Sequence, residues 1–207
     1  MMSFADHTGG PVVLMAPDHA FALLRSVDGD GPMVIRGPRT VARYHADGPG
    51  PRCAELRLRP GQAAGLLGGR PLRELIDREV AVPEPDRPLP PPSGLIDRAV
   101  TLLTDGLIDR AVTLLTGGEP VHAVARRLHV SERHLRTLFT AATGLTPTAY
   151  VRLDRVRSVL AEPGWARYYD QSHMIGEFRR VMGVPPGAYA KGRRPPAVPC
   201  PSPPPVE

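Results

Sequence analysis

Residues 130–150 read VSERHLRTLFTAATGLTPTAY, and residues 169–189 read YDQSHMIGEFRRVMGVPPGAY. Laid over each other without a gap, the two stretches share six identities: His134/His173, Phe139/Phe178, Gly144/Gly183, Pro147/Pro186, Ala149/Ala188 and Tyr150/Tyr189. The first copy carries its own punctuation. Ser131 is a good N-cap, offering a hydroxyl to the free backbone N–H groups of a first turn. Leu135, Leu138, Phe139 and Ala142 recur at i, i+3, i+4 and i+7, the spacing of one helix face. Gly144 predicts a left-handed stop, and Pro147 opens the next helix, PTAYVRLDRVRSVLA.

Working upstream, PVHAVARRL (120–128) predicts a preceding helix, with Pro120 in the tolerated first turn and Val121, Val124, Ala125 and Leu128 on its apolar face. HVS turns the chain between the two. The result has helix–turn–helix grammar. Glu132, Arg133, Arg136, Thr137 and Thr140 fall on the outer side of the second helix. Arg and Thr near the N-terminus of such a helix suit a major groove, where Arg pairs bidentately with guanine.

With the shared G-[LV]-x-P-x-A-Y endings and the second copy YYDQSHMIGEFRRVMGVPPGAY, the chain resembles the AraC/XylS family of bacterial transcription regulators. The resemblance covers residues 106–190. It implies two helix–turn–helix subdomains joined by a long helix and gripping successive major grooves, with recognition helices at 131–143 and 170–182. It further implies a DNA-contacting set of Ser131, Arg133, Arg136 and Thr137 in the first unit and Gln171, Ser172 and Gly176 in the second. Arg179 and Arg180 would lie nearer the phosphates. Gly176 brings no side chain, so the second unit is expected to read poorly.

The chain departs from that pattern ahead of the second copy. The window that should hold its leading helix is VLAEPGWAR (159–167), interrupted by Pro163–Gly164, and an interior proline costs a helix about 3 kcal/mol. The second unit is therefore expected to keep its recognition helix without a full supporting one, leaving apolar residues short of cover. A verbatim duplication, GLIDRAVTLLTD (94–105) then GLIDRAVTLLTG (106–117), precedes the first unit. Twelve residues turn an α-helix face by about 120°, so one continuous helix would not aim both apolar stripes at one core. A break at Gly106 is expected, with the second copy packing on the downstream domain.

The amino-terminal part reads differently. FALLRSVDGDGPMVIRG predicts a hairpin with positive-φ turn residues in DGDG. AELRLRP alternates, placing Ala54, Leu56 and Leu58 on an expected buried face. GQAAGLLGGRPLRELIDREV offers two short helical stretches, the second with Leu72, Leu75 and Ile76 on one side. The fold class is α+β: a small β-rich amino-terminal domain (1–82), a Pro-rich linker (83–93), an all-α domain with tandem, homeodomain-like helix–turn–helix units (94–190), and a disordered Pro-rich tail (191–207). The resemblance, through LRLRPGQAAGLLG, makes 1–82 a shortened ligand-sensing or dimerisation domain.

Charge agrees with this division. Residues 1–93 hold eleven Arg against eleven Asp and Glu, whereas residues 119–194 hold thirteen Lys and Arg against six acidic residues. A basic domain beside a neutral one points to a polyanion partner, although 25 of the 26 basic residues are Arg, a bias that a GC-rich genome also produces. Cys53 and Cys200 lie far apart, which argues against a disulfide scaffold or zinc site and suits a reducing cytosol. MMSFADHTGG lacks a signal pattern, and no apolar run has membrane-spanning length.

Several side chains have plainer readings. His134 and His173 are expected as buried or semi-buried structural histidines beside Leu135 and Met174. Phe139, Phe178, Tyr150 and Tyr189 are expected in the core, and Arg126 and Arg127 on a solvated face. Cys53 is expected as a passive thiol, and His19 and His45 on a strand surface rather than in a sensor pocket. No Gly-rich phosphate loop, metal spacing or nucleophile–base arrangement is present, so neither catalysis nor a cofactor is expected. The reading is a cytoplasmic, nucleoid-associated regulator bound to double-stranded DNA. A small-molecule effector at 1–82, a homodimer and RNA polymerase are partners that the resemblance leaves open. The rival reading is a noncatalytic interaction protein that has lost operator binding and pairs with intact relatives.

Overall fold

The computed structural model describes residues 2–5, 11–26, 32–45, 53–67, 70–82, 95–161 and 171–198. In the amino-terminal part these form β1 (Met2–Ala5), β2 (Pro11–Met15), β3 (Ala22–Ser26), β4 (Met33–Arg36), β5 (Arg43–His45), β6 (Cys53–Arg57), a short helix α1 (Gln62–Leu66), a 3-10 turn (Leu72–Leu75) and β7 (Glu79–Val82). One antiparallel sheet is ordered β1-β2-β5, the other β6-β3-β4-β7. The hairpin forms as expected, with Ala22 opposite Arg36 and Leu24 opposite Val34; its DGDG turn lies outside the described residues, as does the linker 83–93. Strands β1, β2, β5 and β7 were not legible, being short and flanked by no clear alternation.

β6 forms, but its expected buried face is not closed: Ala54, Glu55, Leu56 and Arg57 are all exposed. Leu56 is 62% exposed, while Arg36, itself buried, donates through Nη2 to Glu55 Oε1 at 2.7 Å, and Arg57 Nη2 donates to the buried Asp18 Oδ1 at 2.8 Å. The physical reason is the edge position of β6. Buried Asp18 and Arg36 need countercharges because an unpaired charge out of water is costly, and the edge strand supplies them. Only Leu58 of the three expected residues packs on the apolar cluster of Phe21, Ile35, Leu72 and Leu75.

The helical part comprises α2 (Leu95–Thr116), α3 (Val121–Arg127), α4 (Glu132–Thr143), α5 (Pro147–Ala161), α6 (Gln171–Met182) and α7 (Pro186–Ala190). The expected break at Gly106 is absent: α2 runs through both copies of the duplicated dodecamer. A glycine lowers helix stability by only about 1 kcal/mol relative to Ala, and no proline interrupts the run. The second copy packs as expected, burying Ile108, Ala111 and Leu115, while the side chains of 95–105 lie outside the described residues.

A single apolar cluster then ties the two parts together. Leu14 of β2 and Tyr44 of β5 belong to the same buried group as Phe139, Leu153, Met174, Phe178 and Met182. Ala42 N–H donates to the Val181 carbonyl at 2.8 Å, and Tyr44 Oη donates to the Met182 carbonyl at 3.1 Å. Disorder from residue 191 onward was expected from the prolines. Instead residues 191–198 fold back: Arg194 lies over the Tyr189 ring at 3.7 Å, and Val198 N–H donates to the Tyr44 carbonyl at 2.8 Å. A proline-rich strand still carries backbone groups at its other residues, and the open edge of β5 accepts one of them. Residues 199–207 lie outside the described set.

Candidate nucleic-acid interface

The helix pair at 121–143 is built by local rules. α3 closes with Val130 N–H donating to the Ala125 carbonyl at 3.0 Å and His129 N–H donating to the Arg126 carbonyl at 3.1 Å. This closure needs one residue in the left-handed region, and His129 supplies it at φ 56°. Ser131 then caps α4, its side chain accepting from His134 N–H at 3.2 Å. At the far end Gly144 takes φ 73° and donates to the Thr140 carbonyl at 2.9 Å. A Cβ at Gly144 would come within 3.1 Å of the Leu72 carbonyl oxygen, so both conformation and close approach require glycine.

Those ends hold α4 so that its two sides differ sharply. Leu135 and Phe139 are fully buried and Ala142 nearly so, whereas Glu132, Arg133, His134, Arg136 and Thr137 are exposed. Thr140, expected on the outer side, is only partly exposed. Arg133 has no ion-pair partner among the described residues. Arg136 meets Glu132 at 3.4 Å across one exposed turn, a contact worth well under about 1 kcal/mol that an incoming anion displaces. Thr137 Oγ1 donates to the Arg133 carbonyl at 3.0 Å. Arg126 on α3 is also exposed without an ion-pair partner among the described residues, while Arg127 pairs with Glu119 at 2.5 Å.

The later part of the unit is built twice. Gly183 repeats the left-handed stop at φ 79°, donating to the Arg179 carbonyl at 2.9 Å. Phe178 meets Tyr189 edge-on with centroids 5.5 Å apart, as Phe139 meets Tyr150 at 5.3 Å. Tyr189 is half-buried, the other three aromatic residues fully so. Gln171, Ser172, Gly176, Arg179 and Arg180 are exposed on α6. Among the described residues Arg179 and Arg180 have no ion-pair partner. A counterpart of α3 would fall largely in 162–170, outside the described residues; the first residues of that window, through Ala161, belong to α5.

Two expectations fail here. Met174, Phe178, Val181 and Met182 were expected to be short of cover, yet each is no more than 3% exposed. α5 packs along α6, and Ala42 and Tyr44 from the amino-terminal part add to the cover at its Met182 end. His134 and His173 are both exposed, because their positions lie about 100° around the helix from the buried Leu135 and Met174. His173 instead reaches Glu177 Oε1 at 3.8 Å.

Glu177 is a residue the sequence reading missed. It is buried on α6 and faces Arg152 at 3.4 Å and Arg155 at 3.8 Å from α5. It positions one helix against the other. The only available signal was its spacing of four from His173, which does not reveal a partner on another helix.

Residues 124–192 match the family model of a helix-turn-helix domain of the AraC type. The matched segment, about a third of the chain, is thus similar to an AraC-type helix-turn-helix domain. The matched segment begins within α3 and extends past α7, with α4 and α6 inside it. No curated protein and no solved structure matches the chain. Among the described residues no group of three or more His, Cys, Asp or Glu could hold a metal ion, and no helix is long and apolar enough to cross a membrane.

Proposed function

We propose that the protein is a sequence-specific DNA-binding transcriptional regulator of AraC/XylS type, in which α4 reads base edges in a major groove and α6 adds a weaker second contact. The observation that carries this reading is the two-sidedness of α4. Its inner face is closed and its ends are capped, so Arg133, Arg136 and Thr137 are presented outward on a rigid rod. Exposure of Arg179 and Arg180 on α6 supports phosphate contacts there, and the bare Gly176 supports weak base reading beside Gln171 and Ser172.

The test is a gel-shift series on duplexes selected from a random pool. Replacing Arg133 and Arg136 by Ala should remove discrimination, each lost bidentate pair costing about 1–3 kcal/mol. Replacing Gln171 and Ser172 should change affinity little. Affinity should also fall steeply with salt, as phosphate contacts release counterions. The opposite ranking of the two double variants defeats the proposal. A flat response with no shift at low salt favours a noncatalytic interaction protein. A small-molecule effector at residues 1–82, a homodimer and contact with RNA polymerase belong to the same reading.

A further inference from the structure

We infer that Arg152 and Arg155 of α5 bind backbone phosphates of DNA on one flank of α6, with Glu177 as the residue that positions them. This contact rests on the regulator reading and deepens it, since neither arginine belongs to a recognition helix.

Glu177 is the only acidic residue of α6, and it is buried. From α5, Arg152 Nε donates to its Oε1 at 3.4 Å, and Arg155 Nη1 stands 3.8 Å from its Oε2. The arginines are three residues apart, so they share one face of α5. His173 and Arg180 lie four residues before and three residues after Glu177, which puts them on the same side of α6. Among the described residues of this flank, three guanidinium groups and a histidine thus gather around one carboxylate. Both α5 arginines remain partly exposed. A guanidinium carries five N–H donors, so one that faces Glu177 keeps others for a second anion.

The groove explains which anion. A B-DNA major groove is about 12 Å wide, and a helix with its side chains has a diameter of about 10–12 Å. When α6 presents Ser172 and Gly176 to the base edges, its flanks must face the two sugar–phosphate strands. Glu177 lies about 100° around the helix from Gly176, on one of those flanks. A bare carboxylate there would repel phosphate, and burial beneath paired arginines reverses the sign of the surface. A buried ion pair adds little stability over apolar packing. Its value here is orientation: it keeps two long side chains beside the path of the backbone.

Fluorescence anisotropy on the full chain tests the contact, with a duplex selected from a random pool and an unselected duplex, each read across a salt series. Arg152→Gln and Arg155→Gln should each weaken both duplexes by the same factor and lower the slope of log affinity against log salt by about 1. Arg152→Lys and Arg155→Lys should restore the slope, because it counts charges rather than hydrogen bonds. Glu177→Gln should keep the slope and weaken both duplexes severalfold, through lost orientation. Arg110→Gln, on the exposed side of α2, should change neither quantity. Unchanged slopes in both Arg→Gln proteins, slopes left low by lysine, or a loss confined to the selected duplex overturns the inference. Melting temperatures accompany each titration, and where a Gln protein at 152 or 155 folds poorly, full affinity in Glu177→Gln overturns it instead. No binding of either duplex by the unaltered chain at low salt removes the regulator reading itself, whereas binding with unchanged slopes removes this contact alone.

Discussion

At the turn between α3 and α4, His129 holds a backbone conformation that a side chain makes costly. An L-residue in the left-handed region costs about 1–2 kcal/mol, whereas glycine adopts it freely but loses about 0.5–1 kcal/mol through the unfolded chain. His129→Gly should therefore stabilise the protein by about 0.5 kcal/mol, read as a raised urea midpoint with unchanged slope. His19 sets a pH dependence. Its folded pKa, about 4, lies below the ordinary histidine value of 6.5, so between those values the unfolded chain binds more protons. Stability is then full above about pH 6.5 and declines as pH falls toward 4. In His19→Gln that part of the decline should disappear from the pH profile of the urea midpoint. Single residues were most legible where their role is local. Ser131, Gly144 and Pro147 announce caps and starts through their own chemistry, so their positions could be read from the chain alone. His134 and His173 could not, because exposure depends on which neighbours the fold brings to that side of the helix.

Among elements, α4 and α5 were readable to the residue, since strong end signals and a complete apolar stripe agree. α2 was misread for an instructive reason. The duplicated stripes are out of phase, which argues against both packing on one core, but it does not argue against helix continuity. Gly106 sits in that continuous helix with nothing within 4 Å of an added Cβ. Gly106→Ala should accordingly stabilise by up to about 1 kcal/mol, with increased helical ellipticity. A flat or destabilised result would mean that α2 is broken there in solution. The cover of α6 was illegible for the complementary reason: Met174 and Phe178 identify an apolar face without naming what lies on it. That Tyr44 and Ala42, more than a hundred residues away, supply part of the cover is a property of the tertiary contact alone.

The whole molecule is more closely joined than its composition suggested. A neutral segment, a run of prolines and a basic segment read as two domains with a tether, yet Leu14 and Tyr44 lie in the helical core, and Arg157 of α5 pairs with Asp18. Residues 191–198 extend the joint, with Pro195 against Gly183 and Val198 against β5. A fragment of residues 94–207 would leave the Met182 end of α6 without Tyr44 and Ala42, and Arg157 without its carboxylate. Losing Tyr44 alone removes a large buried side chain, and such truncations cost about 3–5 kcal/mol. Against a total stability of about 5–15 kcal/mol, the fragment should melt well below the full chain and bind a hydrophobic dye at neutral pH. Equal melting of fragment and full chain would show that the β-rich part only rests on the helices. Tyr44→Ala in the full chain separates the causes, since it removes the wedge while keeping every ion pair of the joint.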